Sequence, residues 1–403
     1  MKIVLFANSE LPRIGGREIV VHYLAKTFQQ MGHQVRVTGP AGWWTKRHTK
    51  FPYPVHRWPT LRGCFKDQVY FSQLMLDTLI FGADVIHAHG TIPPGFAACQ
   101  VKHFKKLPVI LTPHGEDINI VPELDYGLRL NPEKEPKIRY AVEHADILTA
   151  ISSNIKDSLL DTGANPGKIV MIPNGTDAER YANIVNTDIH ERLHLEKDAK
   201  IILSVGNYHH RKGYESLLDA MHRILRAEPK ARLIIAGRDQ NQTLAGLINH
   251  HKLYDKVIYT GTIPLPKKIM GISLNNKSVE NDEDLLAALY QSADIYVSSG
   301  MSDGAEGLSL AVLDALTAKL PVVASNISGN KDIVKDGESG IIVEPGNPHE
   351  MAEAVIYLLR NKEIAKKYGK IAYEISRQYH WNSVAEKYIE VYYKAMDLQK
   401  KSA

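Results

Sequence analysis

Two acidic residues, Glu306 and Asp314, stand eight positions apart in a stretch that reads as a loop, a glycine-led helix start and an amphipathic helix. Eight residues of α-helix separate them by roughly 12 Å along the axis and about 80° around it. The first N–H groups of this helix would belong to Gly307, Leu308 and Ser309, and a helix start favours an anion such as a diphosphate. We predict that Glu306 faces a reacting sugar, the three backbone groups hold phosphate and Asp314 binds a ribose. An ordinary amphipathic helix with an N-terminal acid is the alternative.

Two adjacent cations, Arg211 and Lys212, come directly before a glycine. Transfer of a sugar from a nucleotide expels a diphosphate, and fixed positive charge aimed at a developing anion is usually the largest catalytic contribution. The chain has no Asp-x-Asp type of cluster at a predicted strand end, so we expect a metal-free site with these cations in the neutralising role. A solvated basic pair before a glycine turn is the alternative.

Gly15 and Gly16 follow the first predicted strand, where a backbone without side chains can approach a ligand closely. Their N–H groups, at the start of the next helix, would add anion stabilisation from a second domain. A dinucleotide fingerprint would need Gly-x-Gly-x-x-Gly at this point. The absence of that motif argues against a nicotinamide-dependent oxidoreductase.

Three histidines, His87, His89 and His114, raise the possibility of a metal site. Two histidines at alternate positions of a strand share a face, but no acidic or cysteine companion stands at ligand spacing. We therefore expect His87 and His89 to pack in the interior or beside a ligand rather than bind metal.

Composition limits the class of protein. The 403 residues exceed what one core usually organises, and 44% hydrophobic with 23% charged residues is typical of globular proteins. Cys64 and Cys99 are too few for a disulfide framework, which favours a reducing compartment. The N-terminal apolar run is too short for a signal sequence and no stretch approaches 18 apolar residues, so we expect a cytoplasmic protein. A net charge of +4 is small for this length.

Short apolar runs alternate with helical stretches along almost the whole chain, a pattern typical of parallel α/β sheets. We predict strands at 2–7, 34–38, 84–88, 109–112, 146–150, 169–172, 201–205, 232–236, 257–259, 295–298, 321–324 and 340–343. The clearest helices are predicted at 17–31, 67–80, 136–144, 154–161 and, as one long run, about 348–400. A polar segment from 174 to about 200 is the predicted linker. Two doubly wound domains with a cleft between them follow, with ligands at the carboxyl ends of the strands.

Two segments interrupt this pattern. Residues 42–66 carry six Lys or Arg residues, no acid and six aromatics, a mixture that suits an anionic headgroup region. Nucleic acid is the competing polyanion, but the chain lacks the overall basic bias of a nucleic-acid binder; a solvated loop is the other alternative. The residues that we assign to acceptor or membrane contact are Trp43, Trp44, Lys46, Arg47 and Lys50. Residues 264–284 are predicted to be a surface insertion with no assigned function.

Six segments, taken in order, resemble the family 4 retaining glycosyltransferases of the GT-B fold, and the resemblance spans nearly the whole chain. They are Gly15-Gly16 with the helix after it, the strand and histidine loop at 84–90 and 112–117, the segment 172–177, the loop 205–213, the acids Glu306 and Asp314, and His380-Trp381. The resemblance implies two Rossmann-like domains facing each other across a cleft. An acceptor-binding domain would span 1–180, with a C-terminal helix of about 381–403 packing back on it. A nucleotide-sugar-binding domain would span 195–380.

The resemblance also implies roles for residues. His114 would contact the donor sugar or acceptor near the reacting carbon, where its carbonyl or ring stabilises positive charge. The loop 205–213 would bind the diphosphate, but Asn207 stands where the family commonly has arginine, and Arg238 is the candidate replacement. Asp314 is one methylene shorter than the family's glutamate, and the approach at 298–305 is longer than usual. We favour departure and attack on one face of the sugar, with a covalent intermediate as the alternative.

The predicted function is transfer of a hexosyl-type sugar, with retention, from a UDP- or GDP-type donor and without a further cofactor. The acceptor would be a saccharide or lipid-linked molecule in cell-envelope polysaccharide, lipopolysaccharide or glycolipid synthesis, reached at the cytoplasmic face of an anionic membrane. We expect no nucleic-acid partner. A nucleotide-sugar epimerase or phosphorylase of the same fold and a non-catalytic sugar-binding protein are the alternatives.

Overall fold

The computed structural model describes residues 1–9, 11, 14–41, 50–59, 66–183, 185–264, 266, 283–304 and 306–402. Within these residues the chain divides into two compact units. The first runs from Met1 to Gly175 and is completed by the C-terminal helix from Trp381, whereas the second lies between Thr176 and His380. Over the described ranges, the chain therefore passes from the first unit to the second after Gly175 and returns to the first at Trp381.

The first unit is built on a parallel sheet with the strand order β3-β2-β1-β4-β5-β6-β7. Its strands are β1 (Lys2–Ala7), β2 (Gln34–Ala41), β3 (Val55–Pro59), β4 (Val85–His89), β5 (Val109–Thr112), β6 (Ile147–Ala150) and β7 (Ile169–Met171). The helices between them are α1 (Gly16–Gln30), α2 (Lys66–Phe81), α3 (Phe96–Lys105), α4 (Glu135–His144) and α5 (Ser153–Asp161). Strands β4, β5 and β6 are buried along their whole length, as expected of parallel strands covered on both faces.

The second unit is built on a parallel sheet with the strand order β10-β9-β8-β11-β12-β13. Its strands are β8 (Lys200–Val205), β9 (Ala231–Ala236), β10 (Val257–Gly261), β11 (Ile295–Ser298), β12 (Val322–Ser325) and β13 (Gly340–Val343). Its helices are α6 (Ala178–Ala182), α7 (Ile189–Arg192), α8 (Tyr214–Ala227), α9 (Thr243–His250), α10 (Leu285–Ser292), α11 (Leu310–Thr317), α12 (Ser328–Lys331), α13 (Pro348–Arg360) and α14 (Lys362–Ser376). Leu217 and Met221 of α8, Val355 of α13 and Ile202 of β8 share one buried cluster.

The C-terminal helix, α15 (Trp381–Ser402), belongs to the first unit. The Trp381 ring stacks on Tyr23 of α1 with centroids 5.3 Å apart, and the hydroxyl of the buried Tyr392 lies 2.6 Å from His87 Nδ1. The predicted return of the C-terminal helix to the first domain is therefore confirmed.

The predicted α/β class with two doubly wound sheets is confirmed, and three local predictions are corrected. Residues 174–200 are not an irregular linker, because α6 and α7 form there and belong to the second unit. The helical run at about 348–400 is three helices, broken at Asn361 and at the 3₁₀ turn Arg377–Tyr379. Strand β3 occupies part of the basic segment and pairs with β2.

Candidate active site

The cations Arg211 and Lys212 lie in a 3₁₀ turn, His210–Lys212, between β8 and α8. The segment after β11 holds this turn: Met301 N donates to the Arg211 carbonyl at 2.9 Å and Ser299 Oγ donates to the Lys212 carbonyl at 2.7 Å. Gly213 ends the turn with φ +65°, and a Cβ there would collide with the Ser299 carbonyl oxygen. The segment after β11 thus holds the backbone carbonyls of both cations.

Lys212 and Glu306 form an ion pair between the Lys212 ammonium and Glu306 Oε1. The Lys212 side chain is 25% exposed and that of Glu306 is 10% exposed, so this pair remains in contact with solvent. Behind it, the Tyr214 hydroxyl donates to the Gly206 carbonyl at 2.8 Å. Burial and the nearby Glu306 carboxylate raise the Tyr214 pKa, so this tyrosine stays neutral. The sequence-predicted cation and acid are therefore brought together.

The predicted helix start at Glu306 is wrong. Helix α11 begins at Leu310, because Ser309 is its N-cap and Ser309 Oγ accepts from Val312 N at 3.4 Å. Glu306 and Gly307 precede the helix, so the first helical N–H groups are those of Leu310 and Ala311. Gly307, Leu308 and Ser309 lie on the approach to α11 rather than in its first turn, and their binding of phosphate stays a prediction.

Asp314 lies on α11 and contacts the segment that opens the second unit. Thr176 Oγ1 donates to Asp314 Oδ1 at 2.9 Å, and Tyr181 also bonds to this carboxylate. Burial raises the Asp314 pKa to about 6, against the lowering effect of the Arg180 charge. One oxygen of the predicted ribose-binding acid is therefore already engaged within the protein.

Asn207 and Arg238 stand together at the carboxyl ends of β8 and β9. Arg238 N donates to Asn207 Oδ1 at 2.9 Å and Tyr208 N donates to the Arg238 carbonyl at 2.8 Å. Asn207 is exposed and Arg238 is partly exposed. Arg238, which we predicted as the replacement cation, thus lies beside Asn207, which stands where the family commonly has arginine.

His114 follows β5 in the first unit and is partly exposed. Asp117, which we did not single out, fixes its backbone: Asp117 Oδ1 accepts from His114 N at 2.8 Å and Asp117 Oδ2 accepts from Thr91 N at 2.8 Å. The His114 ring nitrogen Nε2 lies 3.1 Å from His89 Nδ1. Burial and the neighbouring His89 and Arg17 hold the His114 pKa well below its usual range, so its imidazole is neutral. An acid three residues after a histidine was the available signal for Asp117.

Gly15 is the N-cap of α1 and Gly16 its first residue. The buried Glu18 side chain folds back over this helix start. Its carboxylate lies so close to Gly15 that a Cβ at that position would collide with it. Ser9 Oγ bonds to Glu18 Oε1, and Arg17 Nη2 donates to Ser9 Oγ at 3.0 Å. The helix start that we predicted for an anion already holds the carboxylate of its own third residue.

The remaining predicted residues lie mostly outside the described part of the chain. These are Trp43, Trp44, Lys46 and Arg47, together with most of the 264–284 insertion; Lys50 is described and exposed. No helix among the described residues is long and apolar enough to cross a membrane. In the same residues, no three His, Cys, Asp or Glu side chains are grouped as a metal site requires.

The two parallel, doubly wound sheets, with polar loops at the carboxyl ends of their strands, have the architecture of the GT-B fold. HepE from Anabaena, solved in complex with UDP and glucose, superimposes with a TM-score of 0.77 at 18% identity and covers 97% of this chain and 99% of its own. Family models agree: residues 14–180 match "Glycosyltransferase Family 4" and residues 185–375 match "Glycosyl transferases group 1". The chain belongs to glycosyltransferase family 4, as predicted.

Two relatives span almost the whole chain. N-acetyl-alpha-D-glucosaminyl L-malate synthase of Bacillus anthracis is 21% identical over 397 residues, covering 95% of this chain and 94% of the relative. Phosphatidyl-myo-inositol mannosyltransferase of Mycobacterium leprae is 25% identical over 390 residues, covering 94% and 92%. The chain is therefore a sugar-transferring enzyme, and these two relatives are named for chemically different molecules.

Proposed function

We propose that this glycosyltransferase moves a hexosyl group, with retention and without a metal ion, from a UDP- or GDP-type donor to a saccharide or lipid-linked acceptor. The acceptor class that we favour is a cell-envelope glycan or glycolipid, used at the cytoplasmic face of a membrane. The observation that carries the proposal is the ion pair between Lys212 and Glu306 at the carboxyl ends of β8 and β11.

The proposed roles follow from the charges of these residues. Lys212, with Arg211 and Arg238, neutralises the charge that grows on the leaving diphosphate. Glu306 forms an ion pair with Lys212. We assign it the role of accepting hydrogen bonds from the donor sugar while orienting the ammonium. We assign His114 to the reacting carbon and propose that the leaving group departs from the face on which the acceptor attacks.

The comparisons support the chemical classes but not one ligand. HepE was solved with UDP and glucose, which favours a uridine nucleotide for the donor test. One relative is named for the synthesis of a glucosaminyl malate, which is a small polar molecule, and the other for a phosphatidyl-inositol, which is a lipid. Of these, the lipid agrees with the basic, tryptophan-bearing segment at 42–66.

A thermal-shift panel of nucleotide sugars tests the donor. UDP-glucose, UDP-N-acetylglucosamine, UDP-galactose and GDP-mannose are compared with UDP, GDP and free sugars, since a ligand at 100 times its Kd stabilises the fold by about 2.7 kcal/mol. One nucleotide sugar should raise the Tm above the shift given by its nucleotide alone. No shift with any nucleotide or nucleotide sugar would contradict the donor proposal.

Product analysis tests retention and metal independence. The anomeric configuration of the product is read by NMR, and turnover is compared in EDTA and in added Mg²⁺ or Mn²⁺. We expect the donor's configuration and equal rates in both conditions. An inverted product or a metal requirement would overturn the corresponding part of the proposal.

Co-sedimentation with liposomes tests membrane contact. Vesicles of phosphatidylcholine with and without phosphatidylglycerol are mixed with wild type and with a variant carrying Lys46→Gln, Arg47→Gln and Lys50→Gln. A matched control replaces the exposed lysines of α14, Lys366, Lys367 and Lys370. Binding that needs anionic lipid and is lost only in the first variant supports the proposal; binding indifferent to these charges contradicts it.

A further inference from the structure

His89 and His114 meet inside the first unit, at the ends of two neighbouring strands. His89 ends β4 and is completely buried, whereas His114 follows β5 and is partly exposed. His89 Nδ1 lies 3.1 Å from His114 Nε2, and the ring planes are inclined by 25°. The geometry is that of a hydrogen bond between two imidazoles in which one facing nitrogen carries the hydrogen.

Neither ring is charged at neutral pH. Burial, with the nearby Arg17 charge, lowers the pKa of His89 to about 3, and burial lowers that of His114 well below its usual range. Each ring therefore carries one hydrogen. The hydrogen bond between them fixes the tautomer of one ring once that of the other is known.

The environment of His89 decides between the two arrangements. His89 Nε2 has no hydrogen-bond partner among the described residues. A hydrogen on Nε2 would leave a buried N–H without an acceptor, whereas a hydrogen on Nδ1 would leave only a lone pair unused. Buried donors without acceptors are the rarer of the two in folded proteins. The hydrogen of His89 therefore belongs on Nδ1, directed at His114 Nε2.

We propose that His89 is a positioning residue, whose Nδ1–H donates to His114 Nε2 and holds His114 as the neutral Nδ1–H tautomer in one ring orientation. The part of this inference that concerns turnover rests on the proposed role of His114. In that tautomer the His114 ring offers substrate an N–H donor, suited to a sugar hydroxyl oxygen. Stabilisation of positive charge at the reacting carbon then falls to the His114 carbonyl oxygen.

The surroundings keep His89 in this role. His87, on the same strand, lies beside it with ring centroids 4.1 Å apart. Both nitrogens of His87 are already engaged, Nδ1 with the Tyr392 hydroxyl at 2.6 Å and Nε2 with Thr112 Oγ1 at 2.6 Å. His87 therefore supports the His89 ring by packing and does not compete for its Nδ1–H.

A spectroscopic test uses the wild-type protein and needs no turnover. The protein is prepared with ¹⁵N-labelled histidine, and the ring couplings that distinguish the two neutral tautomers are recorded at neutral pH. The His114 signal is identified by its loss in His114→Gln. The Nδ1–H tautomer is the expected result; a proton on Nε2, a charged ring, or exchange between tautomers would overturn the proposal. This result is independent of whether the donor proposal holds.

Two substitutions test the consequence for turnover. His89→Leu removes the hydrogen bond, and kcat should fall by about 10-fold or more with the donor KM unchanged. His89→Asn places an amide near the position of Nδ1 and should restore most of kcat. Tyr392→Phe serves as a control for lost stability, because it disturbs His87 without touching His114. Equal kcat in His89→Leu and wild type, or no recovery in a folded His89→Asn, would overturn the positioning role.

Discussion

The Lys212 ammonium and the Glu306 carboxylate contact each other across 94 positions of sequence, at the ends of two neighbouring strands of one sheet. Their side chains are 25% and 10% exposed, so each charge is partly desolvated and compensated by the other. Removing either partner leaves the other charge partly buried without the opposite charge of this pair beside it. The substitution also removes a fixed charge from the candidate donor site.

Lys212→Ala tests the catalytic assignment. We expect transfer to fall by at least about 100-fold, the size of effect seen when one charge-stabilising donor is removed. The rate is measured by release of the nucleotide diphosphate with the donor that the thermal-shift panel identifies. Lys230→Ala is the matched control, since Lys230 forms an exposed ion pair with Asp198. Wild-type turnover in Lys212→Ala would remove Lys212 from the proposed site.

Gly213→Ala tests whether the loop geometry matters. Gly213 has φ +65° and no room for a Cβ beside the Ser299 carbonyl, so the turn carrying Arg211 and Lys212 must shift. We expect a lower Tm and weaker nucleotide binding by calorimetry. Gly246→Ala is the control, because Gly246 lies in α9 with open space at its Cβ position. This variant should be more stable than wild type by about 0.5–1 kcal/mol. Equal nucleotide affinity in Gly213→Ala and wild type would contradict this prediction.

Asp314→Asn should raise stability in a pH-dependent manner. The Asp314 pKa is about 6 in the folded protein and about 4 when unfolded. The folded state therefore holds the proton more tightly, and this carboxylate reduces the free energy of unfolding as pH rises from about 4 to 6. Thermal melts at pH 4.5, 6 and 7.5 should show a gain for Asp314→Asn that grows to about 3 kcal/mol.

The control for this series is Asp198→Asn. The Lys230 ammonium holds the Asp198 pKa below its usual value, so its replacement should bring no gain as pH rises. If Asp314 binds the ribose, Asp314→Asn will also weaken nucleotide binding. A gain that does not change with pH would show that the raised pKa is not its cause.

Tyr392→Phe tests how α15 is held on the first unit. The Tyr392 hydroxyl lies 2.6 Å from the buried His87 Nδ1, and its loss leaves that nitrogen without a partner. We expect the free energy of unfolding in urea to fall by about 1–3 kcal/mol. Tyr393→Phe changes the same group at the next position, where the side chain is 50% exposed, and should be neutral. Equal effects of the two substitutions would rule out the buried hydrogen bond as the cause.

Much of the fold could be read from the chain because its parallel strands are apolar runs bounded by turns. Strands β1, β5, β11 and β13 coincide with the predicted ranges, and most of the others differ by one or two residues at an end. Strand β3 was missed because His56 and Arg57 interrupt its apolar pattern. Helix α11 was predicted to begin too early because the glycine after Glu306 looked like a helix start, whereas the Ser309 side chain forms the cap.

By itself, the sequence determined which residues are available for chemistry, because Lys212, Glu306, His114 and Asp314 could be singled out by type and spacing. Tertiary structure decided their partners. Asp314 bonds to Thr176, 138 positions away, and His114 to His89, 25 positions away. Parallel strands place the ends of distant segments side by side at one edge of a sheet. Local sequence does not determine which buried nitrogen and oxygen atoms come into contact at that edge. Those contacts set the pKa values and tautomers on which the chemistry depends.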